Sequence, residues 1–410
     1  MDRRFLIPTE EEIAKGLTTD IYFIRTKKIL QAENLADVEV CLELTASSFP
    51  PNTSWAVLGG LRDALHLLEG LPVDVYSMRE GTIFYKEDFY GTREPIMFIC
   101  GRYGSFIEYE TPILGFLSVG SGIATKAARI KKAAGDKLVL SFGARRTHPA
   151  VSPFNAFYAF IGGCDAVSCI KGADFLGIKP TGTMPHSLMI IFKAIRGDHS
   201  EAWIAFDKHV EVDVPRVILA DTFDDEVEES IKAVQTLNGK LWGLRLDTPG
   251  SRRGNFPAII REVKWKLKAL GYKNVKIVVS GGVDEEKIPE LIKAGVDAFG
   301  VGAAIANARI VDIAMDIVAV KKNAKWMPIS KRGKFSGIKQ VYRCWNCMID
   351  VVKLRNEKPP KCPKCLGEMK PLLGKVIENG KIVIDFDEPS KVREYVMKQF
   401  KKLDLYQKPW

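Results

Sequence analysis

Short apolar runs alternate with helical segments from residue 113 onward, and this pattern constrains the fold more than any other feature of the chain. The runs are rich in Val, Ile and Leu and end in Gly, Asp or Arg, which predicts βαβ units and a parallel sheet. About this many units close more naturally as an α/β barrel than as an open doubly wound sheet, which is the alternative. The predicted strands span 137–142, 166–170, 178–182, 216–220, 241–246, 275–280 and 298–301, with helices at 226–237 and 256–270.

The length of 410 residues exceeds the size of one hydrophobic core, so we expect several domains. Residues 1–112 predict a small α+β domain, 113–325 the barrel, and 326–410 a C-terminal module that follows a lysine-rich linker. The outer elements are predicted at 18–30, 55–68 and 390–403 for helices, and at 73–78, 82–85, 95–100, 105–109 and 381–386 for strands.

The composition is typical of a soluble globular protein, with 46% hydrophobic and 27% charged residues. No apolar run approaches the ~18 residues that a membrane-spanning helix needs. The first twelve residues reach acidic positions and a proline before any apolar segment of signal-peptide length. We therefore expect a cytoplasmic protein with no membrane partner.

The net charge of +10 is concentrated at the C-terminal end. Residues 321–410 hold 22 Lys and Arg against 9 Asp and Glu, whereas residues 1–320 hold 38 against 41. Tyr342 and Trp345 add aromatic character, so a nucleic-acid-binding protein that uses this tail is the rival function. A solvated lysine surface is the simpler interpretation, and we do not expect nucleic acid at the barrel.

Four of the eight cysteines form two C-x2-C pairs separated by 14 residues: Cys344, Cys347, Cys362 and Cys365. Two such pairs point four thiolates at one tetrahedral centre, which predicts a closed, structural zinc site, with iron as the main rival. Four unrelated thiols are the alternative. The other four cysteines are scattered through the chain: Cys41, Cys100, Cys164 and Cys169.

Glycine pairs follow two late strands, Gly281-Gly282 after the sixth and Gly300-Val-Gly302 around the seventh. Glycine at such a turn lets backbone N–H groups approach a phosphate, although each pair alone is ordinary turn chemistry. Arg245 and Asp247 alternate at another strand end and so point to one side. This pair suits a ligand with a phosphate and a vicinal diol, and a mutual salt bridge is the alternative.

Residues 118–125, Ser-Val-Gly-Ser-Gly-Ile-Ala-Thr, predict a helix start near a strand end that carries Phe142, Arg145 and Arg146. Such a place could hold an anion beside an aromatic ring, unless Phe142 is simply core. Adjacent arginines on an extended strand point to opposite faces, so at most one enters the barrel mouth unless a turn intervenes.

His186 precedes a predicted helix at 188–195 and could be a base, a phosphate contact, a phosphoryl acceptor or a helix-entry residue bonded to backbone. His148, which precedes a proline, has the same ambiguity. The chain has no nucleophile elbow and no Walker-type loop, which disfavours hydrolase and P-loop functions.

These motifs together resemble the nicotinate phosphoribosyltransferase family, within the wider group of quinolinate and nicotinamide phosphoribosyltransferases. The resemblance covers residues 18 to about 306, and the cysteine module is similar to the appendage of archaeal members. The signatures are Thr19-Asp-Ile-Tyr22, Ser121-Gly-Ile-Ala-Thr125, Phe142-Gly-Ala-Arg-Arg146, Gly182-Thr-Met-Pro-His-Ser187, Arg245-Leu-Asp247, Ser280-Gly-Gly-Val-Asp284 and Gly300-Val-Gly302.

The resemblance implies an irregular α/β barrel with an N-terminal α/β sandwich domain. It implies transfer of 5-phosphoribosyl from 5-phosphoribosyl 1-pyrophosphate (PRPP) to nicotinate, which gives nicotinate mononucleotide and pyrophosphate in NAD salvage. Magnesium is expected with the pyrophosphate, with Asp247 and Asp284 as candidate ligands. A homo-oligomer with shared active sites is expected because Tyr22 would act from a neighbouring subunit.

The same resemblance assigns the site residues. Phe142 and Tyr22 would sandwich the pyridine ring, and Arg145 would hold the base or a phosphate. His186 matches a histidine that relatives phosphorylate when they couple ATP hydrolysis to the reaction. The remaining implied contacts are Asp247 to the ribose hydroxyls, Arg245 to phosphate, Gly281, Gly282 and Gly302 to the 5′-phosphate, and Thr183, Ser168 and Ser280 to substrate.

One segment bears on the choice of base. Residues 162–168 occupy the place that helps relatives to distinguish acid from amide. Asp165 would repel a carboxylate if it pointed at the base, whereas Ser168 would not. Nicotinamide is therefore an alternative substrate, and quinolinate is disfavoured because its second carboxylate would require another cation.

Overall fold

The computed structural model describes residues 4–410; the first three residues, on which the expectation of no signal peptide partly depends, lie outside it. The strands are β1 (Glu39–Ser48), β2 (Ala56–Val57), β3 (Val73–Ser77), β4 (Ile83–Phe84), β5 (Pro95–Arg102), β6 (Leu138–Ser141), β7 (Ala166–Val167), β8 (Val217–Leu219), β9 (Gly243–Leu246), β10 (Lys276–Ser280), β11 (Ala298–Val301), β12 (Asp312–Lys322), β13 (Lys325–Pro328), β14 (Lys339–Cys344), β15 (Ile349–Leu354), β16 (Lys370–Pro371), β17 (Gly374–Glu378) and β18 (Lys381–Ile382).

The α-helices range from single turns to one of 25 residues, and three short 3₁₀ turns occur at Tyr103–Ser105, Ile107–Tyr109 and Ala144–Arg146. The helices are α1 (Glu10–Ala14), α2 (Ile21–Ala32), α3 (Leu61–Leu68), α4 (Glu110–Ala134), α5 (Ser152–Ile161), α6 (Ile170–Leu176), α7 (His186–Arg196), α8 (Ser200–His209), α9 (Glu226–Thr236), α10 (Phe256–Ala269), α11 (Ile288–Ala294), α12 (Ala303–Ala306) and α13 (Pro389–Phe400).

The chain divides into two compact units, and the first combines residues 1–128 with 309–410. Its main sheet is antiparallel, with strand order β13-β12-β1-β5-β3-β17-β18. Leu42, Leu44 and Phe98 from its central strands are buried in the main core, with Leu65 of α3. The sheet is therefore built from both ends of the sequence.

The second unit spans residues 129–308 and contains a parallel six-stranded sheet of order β7-β6-β11-β10-β9-β8. Within the described part of the chain, β7 and β8 are edge strands and do not pair with each other, so the sheet is a half-barrel. The predicted α/β class is confirmed. Of the seven strands predicted for this unit, only 178–182 is not a strand, because Pro180 has no N–H to donate. One backbone hydrogen bond, from Thr181 N to Val167 O at 2.9 Å, joins this segment to β7.

The three predicted domains do not coincide with these two units. Residues 312–322 and 325–328, predicted to be the end of the barrel and a linker, are strands β12 and β13 of the first unit's sheet. The partner strand, β1, pairs with β12 from Val40↔Val320 to Ser48↔Asp312. Because the paired residues are about 270 positions apart in the sequence, no local sequence pattern predicts that β1 and β12 pair.

The cysteine module forms a small three-stranded sheet of order β15-β14-β16 within the first unit. Its core contains Tyr342, Ile349 and Met369, against which Trp410 packs. Elsewhere in this unit, Cys41 and Cys100 face each other across β1 and β5 and are joined by a disulfide. Two of the four cysteines that the sequence pattern treats as scattered are therefore paired.

Residues 118–125, expected at a helix start, lie in the interior of the long helix α4. Ser121 Oγ accepts from Gly59 N at 3.0 Å, and Thr125 Oγ1 accepts from Val57 N at 2.8 Å. A Cβ on Gly122 would lie 2.5 Å from Arg309 O, so glycine allows close backbone packing there. This motif therefore packs α4 against the backbone at residues 57–59 and at Arg309, and it does not form an anion site.

The segment Ile107–Ala134 is long and apolar enough to cross a membrane by length and composition, contrary to the expectation from apolar runs. Its most apolar window is 72% buried inside the protein, as is typical of a core helix. Two predicted elements near it also differ. Residues 105–109 form 3₁₀ turns, and the predicted helix at 55–68 is divided at Gly60, whose φ of +89° brings its backbone against Phe116 O.

Candidate active site

All six strands of the half-barrel lead directly into residues of the candidate site. Because parallel strands share one direction, their carboxyl ends meet at one edge of the sheet, where ligands bind in open α/β folds. The residues that follow the strand ends are Phe142 after β6, Ser168 after β7, Asp221 after β8, Asp247 after β9, Gly281 after β10 and Gly302 after β11.

A cavity of about 420 Å³ lies within the second unit at these strand ends. Eleven of the twelve residues predicted to catalyse or bind substrate line it; Tyr22, which is 55% exposed on α2 in the first unit, does not. The lining residues are Phe142, Arg145, Arg146, Ser168, Gly182, Thr183, Met184, Pro185, His186, Arg245, Asp247, Ser280, Gly281, Gly282, Gly300, Gly302 and Ala303.

Phe142 lies over the neighbouring strand at Gly300. A Cβ on Gly300 would be 2.5 Å from both Cδ2 and Cε2 of the Phe142 ring, so only glycine leaves room for this ring position. The Phe142 amide donates to Val301 O at 2.8 Å, which fixes the backbone of the aromatic residue. The ring is therefore part of the cavity wall and is held by a contact that any other residue at 300 would break.

Both arginines of the pair enter the cavity. The sequence analysis predicted that both could enter only if a turn intervened. The 3₁₀ turn Ala144–Arg146 is that turn, and Arg146 N donates to Gly143 O at 2.8 Å. Arg145 and Arg146 therefore both line the same cavity, beside Phe142. Two guanidiniums in one wall favour an anionic ligand.

Arg245 and Asp247 form the ion pair that the sequence analysis named as the alternative, with Nη2 to Oδ2 at 3.3 Å, and both also line the cavity. Arg245 also donates to Thr183 Oγ1, while Ser280 Oγ donates to Asp247 Oδ1 at 2.9 Å. Burial lowers the pKa of Arg245, and Asp247 opposes that shift. Arg245 Nε is buried and has no hydrogen-bond partner among the described residues, so the guanidinium keeps a free donor.

His186 begins α7, and its ring lies near two carboxylates and one hydroxyl. Its Nε2 lies 3.9 Å from Asp221 Oδ1 and 3.9 Å from Asp247 Oδ2, and its Nδ1 lies 3.1 Å from Thr222 Oγ1. The side chain is 35% exposed. His186 therefore lies next to side chains at the strand ends and is not only a helix-entry residue bonded to backbone.

Asp221 is the main residue that the sequence analysis missed. Its side chain is 2% exposed, and its Oδ2 accepts from Asp247 N and from Thr248 Oγ1, the latter at 3.1 Å. Burial raises the pKa of Asp221, which the Asp247 amide and His186 oppose. The sequence could have indicated Asp221, because this residue directly follows the predicted strand 216–220, just as Asp247 follows the predicted strand 241–246.

The loop after β10 has two consecutive glycines in the left-handed region, Gly281 at φ +77° and Gly282 at φ +65°. Arg253 spans this loop, donating from Nη2 to Ser280 O and from Nε to Thr248 O, each at 2.6 Å. A Cβ on Gly281 would lie 2.8 Å from Arg253 Nη2. Lys287 Nζ donates to Gly282 O at 2.7 Å, so two cations adjoin the glycine loop.

Two acidic residues that bear on the sequence hypotheses, Asp165 and Asp284, do not line the cavity. Asp165 accepts from Lys131 Nζ at 2.9 Å and from Val139 N at 2.8 Å, and it is not among the described residues that line the cavity. Asp284, a candidate magnesium ligand, accepts from Lys287 N at 3.0 Å and also does not line it. Ser168 does line the cavity.

The four module cysteines converge, with all four Sγ atoms within 4.8 Å of one another and those of Cys344 and Cys365 3.6 Å apart. A tetrahedron with ~2.3 Å metal–sulfur bonds has edges of about 3.8 Å, so the cluster fits a metal ion. Each turn ends in a residue with positive φ, Met348 at +55° and Leu366 at +59°.

The sequence matches two family descriptions in succession. Residues 20–121 match the quinolinate phosphoribosyl transferase N-terminal domain, and residues 123–316 match its C-terminal domain. The chain is similar to a nicotinate phosphoribosyltransferase of Bacillus subtilis, with 25% identity over 377 residues that cover 81% of this chain and 73% of the relative.

Solved structures are also similar to this chain. A nicotinate-nucleotide pyrophosphorylase from Pyrococcus furiosus superposes with a TM-score of 0.92 at 52% identity, covering 98% of both chains. A human nicotinic acid phosphoribosyltransferase superposes with a TM-score of 0.72 at 19% identity over 94% of each chain, a likeness of fold alone.

The half-barrel, the cavity at its strand ends and the two matched domains define a phosphoribosyltransferase. Within that class, the chain belongs to the quinolinate phosphoribosyl transferase family that both matched domains describe, and over most of its length it is similar to nicotinate phosphoribosyltransferases, as the resemblance of its signatures predicts.

Proposed function

We propose that this protein transfers the 5-phosphoribosyl group of PRPP to nicotinate, giving nicotinate mononucleotide and pyrophosphate. The observation that carries the proposal is the convergence of an aromatic ring, cations and glycine loops on one cavity. In the reaction, the pyridine nitrogen attacks C1 of the ribose, and the C1–O bond breaks with its electron pair leaving on pyrophosphate. The protein must mainly position two anionic groups and a flat base around a cationic anomeric carbon.

The base end of the cavity is assigned to Phe142 with Arg145 and Arg146. The ring offers an aromatic face to a planar heterocycle, and a guanidinium beside it offers two donors to a carboxylate. Ser168 is the only residue of segment 162–168 in this wall, and Asp165 is bound to Lys131. Nicotinate is therefore favoured over nicotinamide.

The 5′-phosphate is assigned to Gly281, Gly282 and Gly302. Consecutive glycines with positive φ leave backbone N–H groups open to a phosphate, and Lys287 and Arg253 add positive charge next to that loop. Asp247 would take the ribose hydroxyls, while the free donor of Arg245 would take a phosphate oxygen.

Magnesium would be held with the pyrophosphate by Asp247 and Asp221. Asp221 Oδ1 is a buried oxygen that lacks a hydrogen-bond partner among the described residues, which fits a cation, whereas Asp284 already caps the Lys287 amide. Bound magnesium would neutralise the leaving pyrophosphate.

Three further roles belong to the proposal. His186 would accept a phosphoryl group when ATP hydrolysis is coupled to the transfer, as its signature implies.

The chain would act in the cytoplasm as a homo-oligomer in which Tyr22 of a neighbouring subunit completes the base site. The cysteine cluster would hold a structural zinc ion that stabilises the C-terminal module.

The proposal is tested by incubating the protein with PRPP, magnesium and nicotinate, nicotinamide or quinolinate in turn, with and without ATP, and identifying the nucleotide. Nicotinate should give the highest kcat/KM, and ATP should raise it. Higher turnover of nicotinamide, or consumption of quinolinate with loss of a carboxyl group, would overturn the substrate assignment. Asp247→Asn should abolish turnover of every base, while Asp284→Asn, a matched change outside the cavity, should retain it.

A further inference from the structure

The short loop after β8 connects the cavity to a buried pair of polar side chains. Thr222 lies in this loop, with its hydroxyl 3.1 Å from His186 Nδ1. Its own backbone N–H donates to Glu229 Oε2, and the next amide, Phe223 N, donates to Glu229 Oε1 at 3.3 Å. One carboxylate of α9 therefore fixes the backbone of the residue that contacts the histidine.

The carboxylate that holds this loop is itself fixed. Glu229 has a fully buried side chain, and His199, 2% exposed, packs against it with Nε2 2.9 Å from Glu229 Oε1 but without the geometry of a hydrogen bond. Trp203 and Phe223 pack around the His199 ring at 5.1 and 5.2 Å between centroids. The backbone of Thr222 is therefore held by a carboxylate that is buried beside aromatic rings.

We propose that Thr222 is a positioning residue that orients the imidazole of His186, with Glu229 holding the backbone of Thr222 in place. The Thr222 hydroxyl is hydrogen-bonded to Nδ1 of His186, so the imidazole cannot flip by 180° without losing that hydrogen bond. This leaves Nε2 facing both Asp221 Oδ1 and Asp247 Oδ2, each at 3.9 Å. The inference rests on the proposed function for its catalytic meaning and on these contacts for its structural content.

The exposed fraction of His186 explains why such a device is needed. A side chain that is 35% exposed at the first position of a helix has rotamer freedom, and neither carboxylate is within hydrogen-bonding distance of Nε2. Within residues 4–410, the His186 ring makes one hydrogen bond, and its partner is the Thr222 hydroxyl. Its loss would let the imidazole leave the productive orientation.

The kinetic test uses Thr222→Val, which keeps the shape and removes the hydroxyl. One hydrogen bond corresponds to roughly a threefold to tenfold effect, so the part of kcat that depends on His186 should fall by that factor. The KM for nicotinate should not change. Thr222→Ser should restore kcat, and Thr236→Val, at the far end of α9, should match the wild type in activity and thermal stability.

A double variant separates positioning from a direct role. In a His186→Ala background, Thr222→Val should have no further effect, because Thr222 acts only through the histidine. An equal loss of kcat in both backgrounds, or a rise in KM for nicotinate, would overturn the inference.

A spectroscopic readout is independent of turnover. The chain has five histidines, so ¹⁵N-histidine labelling with His186→Ala as the assignment control isolates the His186 ring nitrogens. Thr222→Val should shift the Nδ1 resonance, and Thr222→Ser should return it. An unchanged resonance refutes the positioning role even in an active enzyme. An inactive wild type with the predicted shift would refute the proposed function and leave the positioning role supported.

Discussion

Replacing Gly300 by alanine tests the aromatic wall of the cavity most sharply. The new Cβ would lie 2.5 Å from two ring carbons of Phe142 and 3.1 Å from Ser280 Cβ. Ordinary carbon–carbon contacts are ~3.5–4.0 Å, so the ring must move by about 1 Å, away from β11. Such overpacking costs ~1–3 kcal/mol, which corresponds to about a 5- to 150-fold change if it all appears in binding of the base.

The assay is steady-state formation of nicotinate mononucleotide with each substrate varied in turn. Gly300→Ala should raise the KM for nicotinate within that range and leave the KM for PRPP nearly constant. Gly374→Ala is the matched control, because Gly374 also lies in a strand and a Cβ there would meet nothing within 4 Å. An unchanged KM for nicotinate, or equal rises for both substrates, would refute the assignment of Phe142 to the base.

Three other predictions follow from the structure. Gly281→Ala, strained by φ +77° and by contact with Arg253, should raise the KM for PRPP more than that for nicotinate; the reverse order in the kinetics would contradict the phosphate assignment. Cys362→Ser should remove the bound zinc measured by mass spectrometry and lower the Tm, whereas Cys169→Ser should do neither; a stable, zinc-containing Cys362→Ser protein would exclude a structural site. Burial raises the pKa of Glu80 to about 8, so the folded protein holds a proton that the unfolded chain loses near 4.5, and stability should fall as pH rises between those values, by at most about 5 kcal/mol. Urea unfolding at pH 5 and 8 should show a larger fall in the wild type than in Glu80→Gln, because Glu110 and Glu229, whose pKa values burial raises to about 7, contribute to both proteins; equal pH slopes would contradict the assignment to Glu80.

The strands of the half-barrel could be predicted closely because each apolar run is short and ends in a residue with turn or ligand chemistry. The run predicted at 275–280 is observed as Lys276–Ser280, and that at 298–301 matches Ala298–Val301. The same regularity placed the site, since strand ends of one sheet must meet. Sequence therefore located both the glycine loops and Asp247.

What the sequence could not supply was long-range packing. The Ser-Val-Gly-Ser-Gly motif has the composition of a turn, yet its glycines and Ser121 serve contacts of α4 with Gly59 and Arg309. Likewise, β12 could not be assigned to its sheet, because its partner β1 lies at the other end of the chain. Sheet order in this unit depends on pairing that no local window contains.

The supporting residues of the site were also hidden from sequence reasoning. Arg146 was set aside because adjacent residues of a strand diverge, and only the 3₁₀ turn brings it in. Thr222 and Glu229 carry no motif, since their importance comes from hydrogen bonds to a loop and to His186. Residues of this kind become visible only when distances are known.

A structure of the protein with bound nicotinate mononucleotide would test the assignment of the cavity most directly. The pyridine ring should lie on Phe142 with its carboxylate toward Arg145 or Arg146, the ribose hydroxyls on Asp247, and the phosphate at Gly281, Gly282 and Gly302. A nucleotide bound in the reverse orientation, or outside this cavity, would contradict the assignment.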